Sequence, residues 1–341
     1  MLKNKNLLVA AIICLCLSNG STAFGRDVGV VLSKIDDSAQ AAVTQNKNAV
    51  TNFEQGTNLY KQGDLKGAEA AFLKAIELEP NFVQAYIGLA NTLDDQGKSQ
   101  EAIAIYKKAI SLDPKDSGVY LNLGLTLARL NQLEAAIAQY KKALSLEPNY
   151  ADAHYYLANA LYAQQKPAEA VAEYTASIRL NPKNPVAYNA LGNALYAQGK
   201  LEEAIANYKK AISFAPNYAD AHYNLASAFY AQGKLTEAIA DYTEAIRLDP
   251  KHAQAYAGLA NAMDDQGKPQ EAIAHYKKAI SLVPNDALTY YNLGITLGRE
   301  QQPEEAIVNL KKARELFQAD ENKQMVEQVD QLIQKINPRR N

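Results

Sequence analysis

Tryptophan is absent from the 341 residues, methionine occurs three times, and the two cysteines, Cys14 and Cys16, sit together near the N-terminus. Neither sign of charge prevails: 35 Lys+Arg face 37 Asp+Glu, a net charge of −2. With no basic excess, nucleic acid and anionic lipid are not expected partners. At 48% apolar and 21% charged residues, the chain is also too hydrophobic to stay disordered. No glycine-rich loop ends in Lys-Ser or Lys-Thr, no GxGxxG follows a strand, and no strand pattern appears. No serine lies in a nucleophile elbow. The four histidines form neither HExxH nor any local ligand cluster. His154 and His222 read as packed substitutes for an aromatic ring, and His252 and His275 as surface residues. Asp94-Asp95 and Asp264-Asp265 are adjacent carboxylates. Neighbours on a helix point about 100° apart, so each pair reads as a solvated face and not an acid–base couple. No enzyme, cofactor or metal is expected.

Long apolar runs are equally scarce. The one near the start, Leu7 to Leu17, falls well short of the ~20 residues that span a bilayer. It follows Lys3 and Lys5 and precedes Ser21-Thr22-Ala23, which is the pattern of a secretory leader cleaved after Ala23. Export to a periplasmic or secreted location is expected, with an uncleaved anchor as the alternative. Cleavage would remove both cysteines and leave the mature chain no disulfide to form in an oxidising compartment.

What the chain does have is a period. Prolines fall at 80, 114, 148, 182, 216, 250 and 284, every 34 residues. With Pro80 at position 32, repeats begin at 49, 83, 117, 151, 185, 219, 253 and 287 and fill residues 49–320. Pro167, Pro269 and Pro303 all fall at position 17, and Pro185 at position 1. Each repeat reads as two helices: Tyr86, Leu89, Ala90 and Leu93 make one stripe of 3.6-residue period, and Ala102, Tyr106 and Ala109 a second. Position 15 is glycine in five repeats (Gly63, Gly97, Gly199, Gly233, Gly267), the residue that ends a helix in the left-handed region at no steric cost. Asn131 suits that position, whereas Gln165 and Gln301 fit it less well. Residues 24–48 read as a leader, helical or flexible, and residues 321–341 as a capping helix and tail.

An aromatic–Leu–small–bulky helix followed by an Ala–aromatic–Ala–Pro helix resembles the tetratricopeptide repeat family. Tyr188, Leu191, Gly192, Leu195, Ala204, Tyr208, Ala211 and Pro216 of repeat five carry every signature position. The end repeats depart most, with Asn52 and Gln55 in the first and Leu310 and Gln318 in the last, where one face has no neighbour. The resemblance implies an all-α, right-handed α-solenoid of eight helix-turn-helix repeats. It also implies a concave groove lined by positions 2, 5, 9, 12 and 13 of the first helices, with position 6 close by.

Tyrosine marks where that groove would act. Of 21 tyrosines, eleven hold positions 4 or 24, which packing explains; eight of the other ten lie between 150 and 230. Tyr155, Tyr162, Tyr196, Tyr223 and Tyr230 join Asn159, Asn189, Asn193, Asn224 and Ser227 as a candidate peptide-binding surface in repeats four to six. Tyr gives large contact area at low entropic cost, and an Asn amide can pair with both sides of a peptide bond. Asn91, Asp94, Asp95 and Arg129, with Asn261, Asp264, Asp265 and Arg299, make the flanks, where basic groups of a ligand would meet the aspartates. The expected function is a non-catalytic scaffold that binds a protein or peptide segment in the cell envelope. Glycan binding, self-association and service as an accessory subunit of a separate enzyme remain open alternatives. Repeats two and seven are nearly the same string, which points to internal duplication.

Overall fold

The computed structural model describes residues 46–336. The leader expected at 1–23, most of residues 24–48, and residues 337–341 lie outside the described residues. The chain divides into two compact units, one through Pro182 and one from Lys183.

The first unit holds four helix pairs: α1 Lys47–Lys61 and α2 Leu65–Leu78, α3 Val83–Asp95 and α4 Ser99–Leu112, α5 Ser117–Arg129 and α6 Leu133–Leu146, α7 Ala151–Ala163 and α8 Pro167–Leu180. The second holds α9 Pro185–Ala197 and α10 Leu201–Phe214, α11 Ala219–Ala231 and α12 Leu235–Leu248, α13 Ala253–Asp265 and α14 Pro269–Leu282, α15 Ala287–Arg299 and α16 Pro303–Ala319, then α17 Lys323–Ile336. Within each unit a helix packs on its pair partner and on the first helix of the following pair. Every described element is helical.

Local chemistry sets the boundaries. Gly63, Gly97, Gly199, Gly233 and Gly267 carry φ between 74° and 82° and end the first helices. Asn131, Gln165 and Gln301 take the same left-handed turn at 57°, 60° and 56° with a Cβ in place. Pro167, Pro269 and Pro303 open second helices, where no amide partner is lost. Position 32 acts as the stop. Second helices from α4 to α14 run 14 residues and end two residues before their proline. In repeat eight Gln318 stands there, and α16 continues for 17 residues to Ala319.

The core is made from the two stripes. Ala90, Leu93, Ala102, Tyr106 and Ala109 are buried, as are their equivalents along the chain except Leu59 and Met263, which are half-buried. Tyr106, Tyr140, Tyr208 and Tyr276 at position 24 are among the largest fully buried side chains. Burial of a ring this size stabilises by about 3 kcal/mol, so this position alone anchors each pair. In α17, Met325 and Val329 turn inward, and Ile336 packs on the cluster formed by Leu293, Leu297 and Ala306.

Candidate functional site

Position-24 tyrosines bury their rings but must place a hydroxyl, and position 9 of the same repeat receives it in five repeats, though not in repeat three, where Leu125 stands there. Tyr106 donates to Asn91 Oδ1 at 2.5 Å, Tyr174 to Asn159 at 2.6 Å, Tyr208 to Asn193 at 2.8 Å and Tyr276 to Asn261 at 2.6 Å. In repeat six Ser227 takes the role, its Oγ 3.1 Å from the Tyr242 hydroxyl. The asparagine amides are therefore oriented by the core: the carbonyl oxygen faces in, which leaves Nδ2 as the outward donor.

Of the candidates at repeats four to six, Tyr155, Asn159 and Tyr162 lie half-buried on α7 in the first compact unit. Asn193, Tyr196, Tyr223, Asn224, Ser227 and Tyr230 are half-buried on α9 and α11 in the second. Tyr155 packs its ring 5.9 Å from Tyr174, and Tyr223 lies 5.9 Å from Tyr242, so both rings lean on the core of their own repeat. Asn189 is buried and serves as an inner support: its Oδ1 accepts from Asn224 at 3.0 Å. Desolvation raises the Tyr196 hydroxyl above the usual phenol range.

The flanks differ from expectation. The Asp94 side chain is 6% exposed, not solvated. Its oxygens accept from Ser99 Oγ at 2.6 Å and Thr126 Oγ1 at 2.8 Å, and Arg129 Nη1 lies 3.0 Å away. Asp264, 12% exposed, accepts from Thr296 at 3.0 Å and pairs with Arg299. The inner aspartate of each pair is thus a neutralised structural group. The outer ones, Asp95 and Asp265, remain exposed. Asp95 accepts the Tyr60 hydroxyl, and Asp265 the Tyr230 hydroxyl at 2.6 Å. Burial first, and then the bonded carboxylate, push both phenols well above their ordinary range.

A single geometric rule covers these contacts: position 12 of one repeat meets position 13 of the next. Tyr60 falls outside the tyrosine positions that packing explains, yet its link to Asp95 emerges only when 35 residues are added to its number. Thr126, Asn122 and their counterparts Thr296 and Asn292 were missed because threonine and asparagine in a helix carry no distinctive pattern. Asn122 and Asn292 donate to the Oδ1 of Asn91 and Asn261 at 3.4 and 3.1 Å.

The histidines separate into two kinds. His154 and His222 pack at position 4, each with Nδ1 against a carboxylate of its own repeat, Glu173 at 2.6 Å and Asp241 at 2.9 Å. Their Nε2 atoms face the carbonyl oxygens of Pro148 at 3.1 Å and Pro216 at 3.3 Å. His252 corrects the surface reading: it is 7% exposed, caps α13 by accepting from the Ala255 amide, and lies against the Tyr223 ring at 4.9 Å. His275 is half-buried, and desolvation lowers its pKa. Among the described residues no His, Cys, Asp and Glu group could hold a metal ion. None of the described helices is long and apolar enough to cross a membrane.

Stacked helix pairs with an oriented polar face and a core given to packing define a helical-repeat interaction scaffold. A tetratricopeptide repeat family model matches residues 53–117, 121–185 and 223–287, and the chain belongs to that family. Further repeat models match residues 192–233, and 173–206 with 275–308. Among solved structures, the Cut9–Hcn1 hetero-tetramer of the APC/C is similar at 18% identity, over 80% of this chain and 52% of that one, with a TM-score of 0.60. A tetratricopeptide repeat protein of Parabacteroides merdae matches at 22% identity, over 74% and 100%, with a TM-score of 0.57. PilF of Pseudomonas aeruginosa matches at 21%, over 60% and 93%, with a TM-score of 0.55. These likenesses establish the fold. No curated protein matches the chain.

Proposed function

We propose that this protein–protein interaction scaffold holds an extended segment of its partner along the first-helix face, and does so in the cell envelope. The observation that carries the reading is the recurring bond from the position-24 hydroxyl to the position-9 amide. It fixes outward N–H donors within each compact unit before any ligand arrives, so the ordering cost of binding is already met by the fold. Tyr155 and Tyr162 supply apolar faces on the helix that carries Asn159 in the first unit, and Tyr196 and Tyr230 supply them in the second. The leader pattern at 1–23 supports the envelope location.

The test must spare the core. An Asn159→Ala or Asn193→Ala change would strip the acceptor from a buried tyrosine hydroxyl, a penalty of about 1–3 kcal/mol unrelated to binding. Ser227 supplies the better substitution, because serine keeps an oxygen for the hydroxyl and removes the amide donors. A full chain carrying Asn159→Ser and Asn193→Ser should melt like wild type yet lose a protein that wild type captures from envelope extract, as read by mass spectrometry. Identical capture by both chains would refute the reading.

A further inference from the structure

Repeats one to three and repeats six to eight carry the same polar construction 170 residues apart, and each copy falls within one compact unit. In the first, Tyr60 holds Asp95, and Arg129 neutralises Asp94. In the second, Tyr230 holds Asp265, and Arg299 neutralises Asp264. Neither copy is a patch of bare acid. With the inner ion pair cancelled, each presents one exposed carboxylate whose orientation is set by a phenol, and in the first copy Arg129 Nη1 also lies 3.9 Å from Asp95 Oδ1.

One helical turn before that carboxylate, on the same face, stands Asn91 or Asn261. Both amide oxygens already accept two donors, a tyrosine hydroxyl and an asparagine Nδ2. Their own Nδ2 groups make no bond with the described residues. Each copy therefore offers an anionic acceptor and a neutral donor about one turn apart. The complement is an extended segment that places a cationic side chain beside one of its own backbone carbonyls.

We propose that each compact unit carries one such site, so that the chain grips two partner segments, each through a lysine or arginine. The inference rests on the groove reading but is narrower, because the groove could act through repeats four to six alone. An inherited duplication that merely copied a stable module would leave the outer carboxylates idle, and binding tells the two apart.

The experiment uses the full chain labelled with carbon-13 in tyrosine. The ring signals of Tyr60 and Tyr230 are assigned with Tyr60→Phe and Tyr230→Phe. The probe is a blocked nonapeptide of serine, alanine and glycine with one central lysine, and its control carries glutamate in place of lysine. Both ring signals should move saturably with the lysine peptide and stay still with the glutamate peptide. Binding at Tyr60 should be weaker, since Lys61 stands where the second copy has Ala231. Asp95→Asn should weaken binding at Tyr60 at least about tenfold and spare Tyr230, and Asp265→Asn should do the reverse. Should an Asn variant disturb the other tyrosine signals, the intact chain decides: the shifts should fade between about 20 and 300 mM salt. Stationary signals, movement at one site alone, equal response to glutamate, or indifference to salt would each overturn the inference. The capture experiment with Asn159→Ser and Asn193→Ser succeeds or fails independently of this one.

Discussion

Repeats one to three and six to eight agree where a ligand's charge would be met and disagree where its side chains would pack. Positions 9, 12 and 13 match in kind, from Tyr60 and Tyr230 through Asn91 and Asn261 to Arg129 and Arg299, except that Lys61 stands against Ala231. Position 5 does not: the first copy has Phe53, Ile87 and Leu121, the second Tyr223, Ala257 and Tyr291. The polar ladder is a closed set of hydrogen bonds between adjacent repeats, so changing one member strands another. Position 5 has no such obligation and drifts. The two copies thus share a polar floor and differ in their walls, which would let them accept the same charged residue in different sequence contexts. One member of the ladder was replaceable. Ser99 in the first copy is Pro269 in the second, and Asp264 makes do with Thr296 and Arg299.

The largest effect tests whether the copies are equal as packing modules. Ala90 and Ala260 are fully buried at position 8. Leucine at either site overpacks a helix contact, and each variant should lose about 1–3 kcal/mol in urea unfolding. Similar losses would mean the duplicated cores are interchangeable, while tolerance at one site alone would mean that copy has loosened. A smaller effect sharpens a difference already visible at the turns. Position 15 is Asn131 in the first copy and Gln301 in the second, at φ 57° and 56°. Asparagine visits this region readily and glutamine does not. Gln301→Gly should therefore stabilise by about 1 kcal/mol, and Asn131→Gly by only a few tenths, measured by the same unfolding curves. Equal gains would remove residue type as the explanation.

The period made the helices, the turns and the core positions legible, because 34-residue spacing and 3.6-residue stripes fix which face each side chain takes. It could not reveal how deep a polar residue lies. Asp94 looked like half of a solvated pair, yet its burial is decided by Thr126 and Arg129, which lie 32 and 35 residues later. His252 looked exposed because it follows a proline in a turn, but the Tyr223 ring of its own repeat covers it. The near identity of repeats two and seven was plain in the sequence. That the likeness extends to a bonded ladder of residues required knowing that position 12 meets position 13 of the next repeat.

The smallest effect concerns the repeat that opens each copy. Position 4 is Asn52 in the first and His222 in the second, whereas Tyr86 and Tyr120 use that position to donate to the carbonyls of Pro80 and Pro114 at 3.1 and 3.2 Å. His222 faces the Pro216 carbonyl with one nitrogen and the Asp241 carboxylate with the other, and Glu244 adds to the negative field. Only the imidazolium donates to both. The bond to Asp241 is the main cause of a pKa raised above the ordinary imidazole value, and partial burial opposes it. A raised folded value means that the contribution to stability is complete below about pH 6.5 and is lost as the pH climbs through the folded pKa. His222→Tyr keeps the bond to the proline carbonyl and removes the titration. Wild type should accordingly lose stability relative to that variant on the alkaline side of neutrality, with a constant difference on the acid side. A difference that stays flat with pH would show that folding leaves the His222 pKa unchanged, and one that widens in wild type's favour as the pH rises would show that the ring is held neutral; either overturns the prediction.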